Sequence, residues 1–303
     1  MARTYKVKPN QGLMAVARDV YGKEHADKYA LIYNANKKAI GKDPNKVRAG
    51  LVLTIPDLSE NGVSELKFEH ISVGKDGSVW AAGGAAGTIY RHHTFPGGQG
   101  WVRIEGGNAG TIAAVDWPNA WIVNQDGEIW RVQDAHSVIT DGTWTQVETH
   151  SGEADAKTIS VGADGRAWYA QEEGTIFRRY GDAGAVFWVP DKLGKAVVIA
   201  AVDFNNAWCV NKEGDIWRLE DAYSVDEGGT WTRVPTYSDS RDAKTISVGA
   251  DGSVWYVDTN GAVYFWQMIG EAWRPAWDQG QLGKVDVIAV HDQADVWCLN
   301  DKG

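Results

Sequence analysis

A segment that recurs without a change constrains this chain most. The sequence DAKTISVGADG runs from Asp155 to Gly165 and again from Asp242 to Gly252, and a relaxed copy, HISVGKDG, occupies residues 70–77. Between the copies lies a second variant, AAVDWPNAWIVNQDGEIWR at residues 113–131, which returns as AAVDFNNAWCVNKEGDIWR at residues 200–218. Two kinds of unit therefore alternate, which indicates duplication of a block of two units and predicts a repeat architecture.

The units are long enough to be propeller blades. Their leading isoleucines are about 40 to 47 residues apart, a period typical of propellers and solenoids. These residues are Ile71, Ile112, Ile159, Ile199, Ile246 and Ile288. Within a unit, short runs of alternating polar and apolar residues are separated by Asp-Gly or Asn-Gly turns, as at Asp251-Gly252 and Asn260-Gly261. Four strands a unit predict an all-β, six-bladed propeller over residues 67–303.

The sixth unit departs from this pattern. It provides a first strand around Val287–Val290 and a second at Val296–Leu299, and the sequence ends at Gly303 before a third. Three explanations stay open: the protein continues past Gly303, another chain supplies the missing strands, or the blade stays open. An unpaired strand edge would invite strand addition. We therefore predict that the last blade is incomplete in this chain.

Several fixed offsets within the units resemble those of a known family. The pattern Ile-Ser-Val-Gly-x-Asp-Gly-x-Val-Trp and a later Gly-x-Ile-Tyr/Trp-Arg strand are seen at Ile71–Trp80, Gly87–Arg91, Ile159–Trp168 and Ile246–Trp255. Together they resemble tectonin repeats, the propeller modules of lectins from invertebrates, slime moulds, fungi and bacteria. The resemblance covers about residues 67–303 and implies a six-bladed propeller that binds glycans in shallow sites near the blade junctions.

Residues 1–57 read as strand, helix, helix, strand, and 58–66 as a linker. The residues Val7-Lys8-Pro9, Tyr21-Gly22, Ile32 to Lys37 and Ala49-Gly50 to Pro56 resemble a LysM module, a small α+β (βααβ) domain. The resemblance implies binding of N-acetylglucosamine polymers such as peptidoglycan and chitin. The implied groove consists of Pro9, Asn10, Gln11, Gly12, Leu13, Asp43, Pro44, Asn45, Lys46, Val47 and Arg48.

Charge is divided unevenly along the chain. Residues 1–57 hold 11 Lys+Arg against 5 Asp+Glu, whereas the rest holds 19 against 35. An acidic propeller disfavours nucleic acid, whose binding depends on Lys and Arg at the phosphates. No apolar run approaches the roughly 20 residues of a membrane span, and the N-terminus lacks the pattern of a secretory signal. We expect synthesis in the cytoplasm, with action at a cell surface or envelope, or in a released particle, after non-classical export.

No nucleotide-binding, zinc-hydrolase or paired-acid motif is present, so we predict a protein that is not an enzyme and holds no cofactor and no metal. The candidate sugar contacts lie at turns of the propeller. Trp117, Phe204 and Gln293 occupy equivalent turn tips, and repeated polar loops carry Asp134, His136, Asp221 and Tyr223. Trp117 and Phe204 either stack on a sugar or pack on a neighbouring loop; both interpretations stay open.

The sequence thus favours a multivalent lectin whose propeller binds cell-surface glycans and whose LysM module anchors it to peptidoglycan or chitin. The alternative is an adaptor of a phage-tail-like or contractile injection particle. In that case the LysM module would dock on protein, and the propeller would serve as a receptor-binding or interaction platform. The two cysteines, Cys209 and Cys298, are expected to be buried free thiols.

Overall fold

The computed structural model describes residues 3–22, 28–41, 43–56, 67–84, 86–95, 98–135, 142–181, 187–223, 229–276 and 283–300. The predicted linker at residues 58–66 lies outside them. Within these ranges, the helices are too short or too polar to cross a bilayer.

Five sheets of four antiparallel strands form the propeller. The first blade consists of β3 (Phe68–Val73), β4 (Val79–Gly83), β5 (Thr88–Phe95) and β6 (Gly98–Asn108), and the second of β7 (Thr111–Asp116), β8 (Asn119–Val123), β9 (Ile129–Gln133) and β10 (Thr143–Val147). The third consists of β11 (Ala156–Val161), β12 (Ala167–Gln171), β13 (Thr175–Tyr180) and β14 (Phe187–Lys195), and the fourth of β15 (Val198–Ala201), β16 (Ala207–Val210), β17 (Ile216–Glu220) and β18 (Thr230–Val234). The fifth consists of β19 (Ala243–Val248), β20 (Val254–Asp258), β21 (Val263–Gln267) and β22 (Ala272–Pro275).

The prediction of six blades is wrong. The described part of the sixth unit contains only β23 (Val285–Asp292) and β24 (Asp295–Asn300), which pair in a two-stranded sheet and do not make a blade. This sheet lies between β19 of the fifth blade and β3 of the first. Its apolar residues pack in both directions: Ala289 and Leu299 contact the Phe68 and Ile71 side of the ring, and Val285 packs near Trp255. Hydrophobic burial therefore holds it between two blades.

The prediction of a separate LysM α+β domain is also wrong. The described N-terminal residues contain the two short strands β1 (Arg3–Lys6) and β2 (Val52–Ile55), the helices α1 (Leu13–Tyr21) and α2 (Tyr29–Ile40), and a 3₁₀ turn at Pro44–Lys46. These two α-helices, packed around Val16, Ile32 and Leu53, are the only ones in the described ranges. Over the described residues the fold class is therefore an all-β propeller with five blades and two helices.

A repeated hydrogen bond joins each blade to the next element. The carbonyl oxygen of a glycine in the turn between the second and third strands accepts from a backbone N–H at the start of the next unit. The pairs are Gly87–Ala109 (2.8 Å), Gly127–Ala156 (3.1 Å), Gly174–Ala196 (2.9 Å), Gly214–Ala243 (3.2 Å) and Gly261–Val285 (3.2 Å). All five glycines have positive φ angles, which side chains disfavour. The blade junctions therefore depend on glycine at these turns.

The first strands of the units surround a central channel of about 370 Å³. Tryptophans in the second strands, such as Trp80 and Trp168, are buried and pack against the next blade. Both cysteines are free, Cys209 buried and Cys298 only half-buried. Burial raises the pKa of the Cys209 thiol and raises that of Cys298 to about 11, so both are protonated at neutral pH.

Candidate functional sites

The predicted turn tips are held by the neighbouring unit. The backbone N–H of Trp117 donates to Asp76 Oδ2 over 2.8 Å, and that of Phe204 donates to Asp164 Oδ2 over 2.8 Å. At the third equivalent tip, Gln293 N–H donates to Asp251 Oδ2 over 3.1 Å. The aspartates of the Asp-Gly turns thus position all three tips.

A buried arginine covers one face of Trp117. The Cζ atom of Arg91 lies 3.6 Å from the Trp117 ring centroid and 5.2 Å from that of Trp80. Its Nη1 donates to the carbonyl oxygens of Trp117, over 2.8 Å, and of Ala135. Burial lowers the pKa of Arg91 to about 10, which leaves it charged at neutral pH. The geometry favours packing for this face, and sugar stacking on Trp117 stays a prediction.

The other two tips show that the arginine and the aromatic occur together. Arg178 lies 4.7 Å from the Phe204 ring centroid and donates to the Phe204 carbonyl oxygen over 3.3 Å. At the third position Phe265 replaces the arginine and packs on Trp255, with centroids 5.4 Å apart, and the tip residue is the exposed Gln293. The tip residue is aromatic at the two positions where an arginine packs on it, and it is glutamine where phenylalanine replaces the arginine.

Exposed aromatics surround Phe204, and together they form the aromatic platform: Tyr180, Phe187, Phe204 and the nearby Tyr223. Tyr180 lies 5.5 Å from Phe204 and 5.4 Å from Phe187 between ring centroids. Exposure is 37% for Tyr180, 47% for Phe187 and 69% for Tyr223. Asp221 hydrogen-bonds the Tyr223 hydroxyl and raises its pKa.

The remaining predicted loop residues are only partly placed. Asp134 and Asp221 occupy equivalent positions with φ of 59° and 58°. Their backbone N–H groups donate to Asn119 Oδ1 and Asn206 Oδ1, each over 3.3 Å. His136 lies outside the described residues.

The residues of the implied N-terminal groove differ in exposure, and two of them are engaged within the N-terminal structure itself. Leu13 is buried in the helix core, and Gln11 donates to Asp19 Oδ2 (2.9 Å) and to the Tyr5 hydroxyl (3.0 Å). Hydrogen bonds from Lys8, Tyr5 and Gln11 lower the pKa of Asp19 to about 2. Of the remaining residues, Pro44 is buried, Asp43 and Val47 are half-buried, and Pro9, Asn10, Gly12, Asn45, Lys46 and Arg48 are exposed.

Two equivalent grooves, which the sequence analysis missed, lie at blade junctions. The first groove, of about 410 Å³, lies between the first and second blades and is lined by Thr88, Arg103, Gly107, Asn108, Asn124, Glu128, Trp130 and Trp144, among others. The second groove, of about 140 Å³, lies between the third and fourth blades and is lined by Gly194, Lys195, Cys209, Asn211, Trp217 and Trp231. Each therefore presents two indole rings and an asparagine.

Glycine allows one tryptophan to lie flat on the previous blade. A Cβ atom on Gly107 would lie 2.6 Å from Cη2 of Trp144, and one on Gly194 would lie 2.6 Å from Cζ2 of Trp231. Contacts that close do not occur between real side chains, so any larger residue would displace the indole. Because Gly107 in β6 and Gly194 in β14 have no side chain, the indole rings can form the walls of the grooves.

An ionised carboxylate lies in the first groove. Glu128 accepts from Trp130 Nε1 (3.0 Å), Asn124 Nδ2 (2.7 Å) and Gln146 Nε2 (3.0 Å). The hydrogen bond from Trp130, then that from Asn124, lower the pKa of Glu128. All three donors are neutral, so they hold the carboxylate in position without neutralising its charge.

In the second groove the equivalent carboxylate is paired with cations. Burial of Asp215 would raise its pKa, but hydrogen bonds from Arg233 Nε (2.7 Å) and Asn211 outweigh burial and the net shift is downward. Arg241 Nε lies 3.3 Å from the same oxygen, and Lys195 Nζ donates to Thr175 Oγ1 over 2.7 Å. Asp215 and its two arginines lie beside this smaller groove, whose own lining contains Lys195.

Comparisons with known proteins support the propeller. The family model of the Tectonin domain matches residues 110–303, and no curated protein matches the chain. Similar structures include virginiamycin B lyase from Staphylococcus aureus, with 18% identity, 82% of this chain and 81% of that chain covered, and a TM-score of 0.52. YCF48 from Cyanidioschyzon merolae has 16% identity, coverage of 78% and 81%, and a TM-score of 0.53. A protein of unknown function from Bacteroides thetaiotaomicron VPI-5482 has 11% identity, coverage of 80% and 69%, and a TM-score of 0.55. At these identities the likeness shows the fold alone.

Proposed function

This chain belongs to the tectonin family, and on that premise we propose that it is a non-enzymatic carbohydrate-binding protein whose propeller recognises surface glycans. The observation that carries the proposal is the pair of equivalent grooves, each lined by two tryptophans and an asparagine, with Glu128 also lining the first. An indole covers the apolar face of a sugar ring, while amide and carboxylate oxygens accept from hydroxyl groups. A groove of this size and lining suits a sugar.

Multivalency compensates for weak affinity at a single groove. A rigid ring holds its two grooves at a constant separation, so binding at one raises the effective concentration of the target at the other. On a surface that displays its sugars at a matching spacing, avidity can exceed single-site affinity by about 10² to 10⁴. We therefore expect stronger binding to dense glycan surfaces than to free monosaccharides.

Replacing Trp130 and Trp217 together by Ala should weaken glycan binding by about 30-fold at each groove, because tryptophan contacts in binding sites each contribute about 2 kcal/mol. The measurement is a glycan array, followed by calorimetry on the strongest ligand. Trp266→Ala is the matched control, since Trp266 is half-buried against Trp273 in the fifth blade and is not among the residues that line either groove. Equal losses in the control and in the double variant, or wild-type binding in both, would contradict the groove assignment.

The aromatic platform is tested separately. Phe187 and Tyr223 are exposed, so changing both to Ser should leave the melting temperature within about 1 °C, as is usual for surface substitutions. If the platform also contacts glycans, we expect the array signal to fall about 5-fold. An unchanged signal would restrict recognition to the grooves.

The proposal contains no catalytic step. The Staphylococcus aureus neighbour is a lyase by name, but its similarity extends only to the fold, and one fold supports unrelated functions.

A further inference from the structure

We infer that the first groove selects a sugar that carries a free, protonated amine; this inference rests on the proposed carbohydrate-binding function. The residues involved are Glu128 and the two tryptophans beside it, which differ in their surroundings from the equivalent residues of the second groove.

The region of the second groove shows that a cation can pair with the carboxylate at this position. Arg233, on the fourth strand of its blade, places Nε 2.7 Å from Asp215 Oδ1. The equivalent residue of the second blade is Gln146, whose Nε2 lies 3.0 Å from Glu128 Oε1; both pair with a groove tryptophan across the strands. One copy of the site therefore holds a cation of its own, and the other has a neutral amide in its place.

The exchange of basic for neutral residues extends beyond this position. The three basic residues of the second groove region, Arg233, Arg241 and Lys195, correspond in the repeat to Gln146, Ala154 and Asn108. Among the described residues, no ion pair joins Glu128 to a basic side chain. The first groove is thus a larger cavity that retains the acid and lacks its three cations.

Arg103 is the one basic residue among the described residues that line the first groove. It belongs to β6, is exposed and lies opposite Tyr90 in the strand register, where the repeat has Pro190 in the second groove. Glu128 is instead held from the second blade by Asn124, Trp130 and Gln146. Arg103 therefore lines the groove from the first blade, whereas the three donors to Glu128 are neutral side chains of the second blade.

The indole rings strengthen the preference for a cation. A cation beside an aromatic face gains about 0.5 to 2 kcal/mol, more where water is excluded. Trp130 and Trp144 are half-buried and line the cavity with Glu128. A sugar amine could approach the carboxylate while its ring lies against an indole.

The test compares two tetrasaccharides that differ in N-acetylation and therefore in charge: the β-1,4-linked glucosamine tetramer and its fully N-acetylated counterpart. Calorimetry with the full chain at pH 6 and 0.15 M salt should show at least 10-fold tighter binding of the amine tetramer. Glu128→Gln should reduce that preference to less than 3-fold. Gln146→Arg, a change at an exposed position that reproduces the second groove, should do the same and keeps the test valid if Glu128→Gln does not fold.

The pH dependence has a definite sign. The pKa of Glu128 is lowered, so its charge persists as the pH falls to the usual glutamate value of 4.5 and is lost only below it. The amine stays protonated over that range. The preference should therefore hold from pH 6 to 4.5 and fall at lower pH.

The outcomes separate the inference from the proposed function. Equal binding of both tetramers, or an unchanged preference in both variants, overturns the amine preference and leaves the carbohydrate-binding proposal standing. Failure of both tetramers also overturns the inference, and the glycan array then decides the function: other glycans bound would preserve it, and silence would remove both.

Discussion

Gly214→Ala should lower the free energy of unfolding by at least about 3 kcal/mol, a large share of the stability of a typical domain. Gly214 has a φ of 78°, and its carbonyl accepts from Ala243 of the fifth blade. A Cβ atom there would collide with the carbonyl oxygen of Arg241 and lie 2.8 Å from its carbonyl carbon. Because backbone cannot move aside as a side chain can, the fourth and fifth blades must separate.

The control for this substitution is Gly165→Ala. Gly165 has nearly the same φ, 81°, but a Cβ atom there has no atom within 4 Å. Its expected cost is the left-handed backbone alone, about 1 to 2 kcal/mol. Urea denaturation of both variants measures the difference. Equal losses of unfolding free energy would mean that position 214 requires glycine because of its backbone angle and not because of the contact between blades.

Local patterns predicted a large part of the fold. Alternating residues and Asp-Gly turns correctly predicted a β-propeller, because strand and turn preferences act over a few residues. The resemblance of the repeated Ile-Ser-Val-Gly-x-Asp-Gly-x-Val-Trp pattern correctly predicted the tectonin domain. The blade count failed because a leading isoleucine such as Ile288 marks only a first strand and says nothing of a third or fourth. At the N-terminus, helical spacing around Leu13 and Ile32 predicted two helices, which the structure contains, but it could not establish a separate domain.

The sequence did not predict the two grooves. Nothing local in the sequence shows that Gly107 of the previous blade lies beneath Trp144. The repeat did carry a usable signal: asparagine, an acid and tryptophan recur at the same spacing as Asn124, Glu128 and Trp130 and again in the fourth blade. Polar residues that recur together on a strand beside tryptophan point to a shared site more strongly than a single aromatic at a turn.

The sequence did not show the burial of Arg91 either, and this burial leads to the second large prediction: Arg91→Phe should lower the free energy of unfolding by about 1 to 5 kcal/mol. The substitution leaves two buried carbonyl oxygens unpaired, at about 1 to 3 kcal/mol each, and removes a cation–π contact of about 2 kcal/mol. Against this, it relieves the desolvation that lowers the pKa of Arg91 to about 10, which is about 3 kcal/mol.

The fifth blade indicates how this loss can be recovered. There the arginine position is Phe265 and the tip is Gln293, so the pair Arg91→Phe with Trp117→Gln reproduces an arrangement that this chain already uses. We expect Trp117→Gln alone to destabilise the fold, since it exposes Arg91, and the double variant to lose at least 1 kcal/mol less than the sum of the single losses, as coupled neighbours do. Urea denaturation of the four proteins gives the coupling energy. Strict additivity would mean that the arginine and the aromatic tip contribute independently to stability.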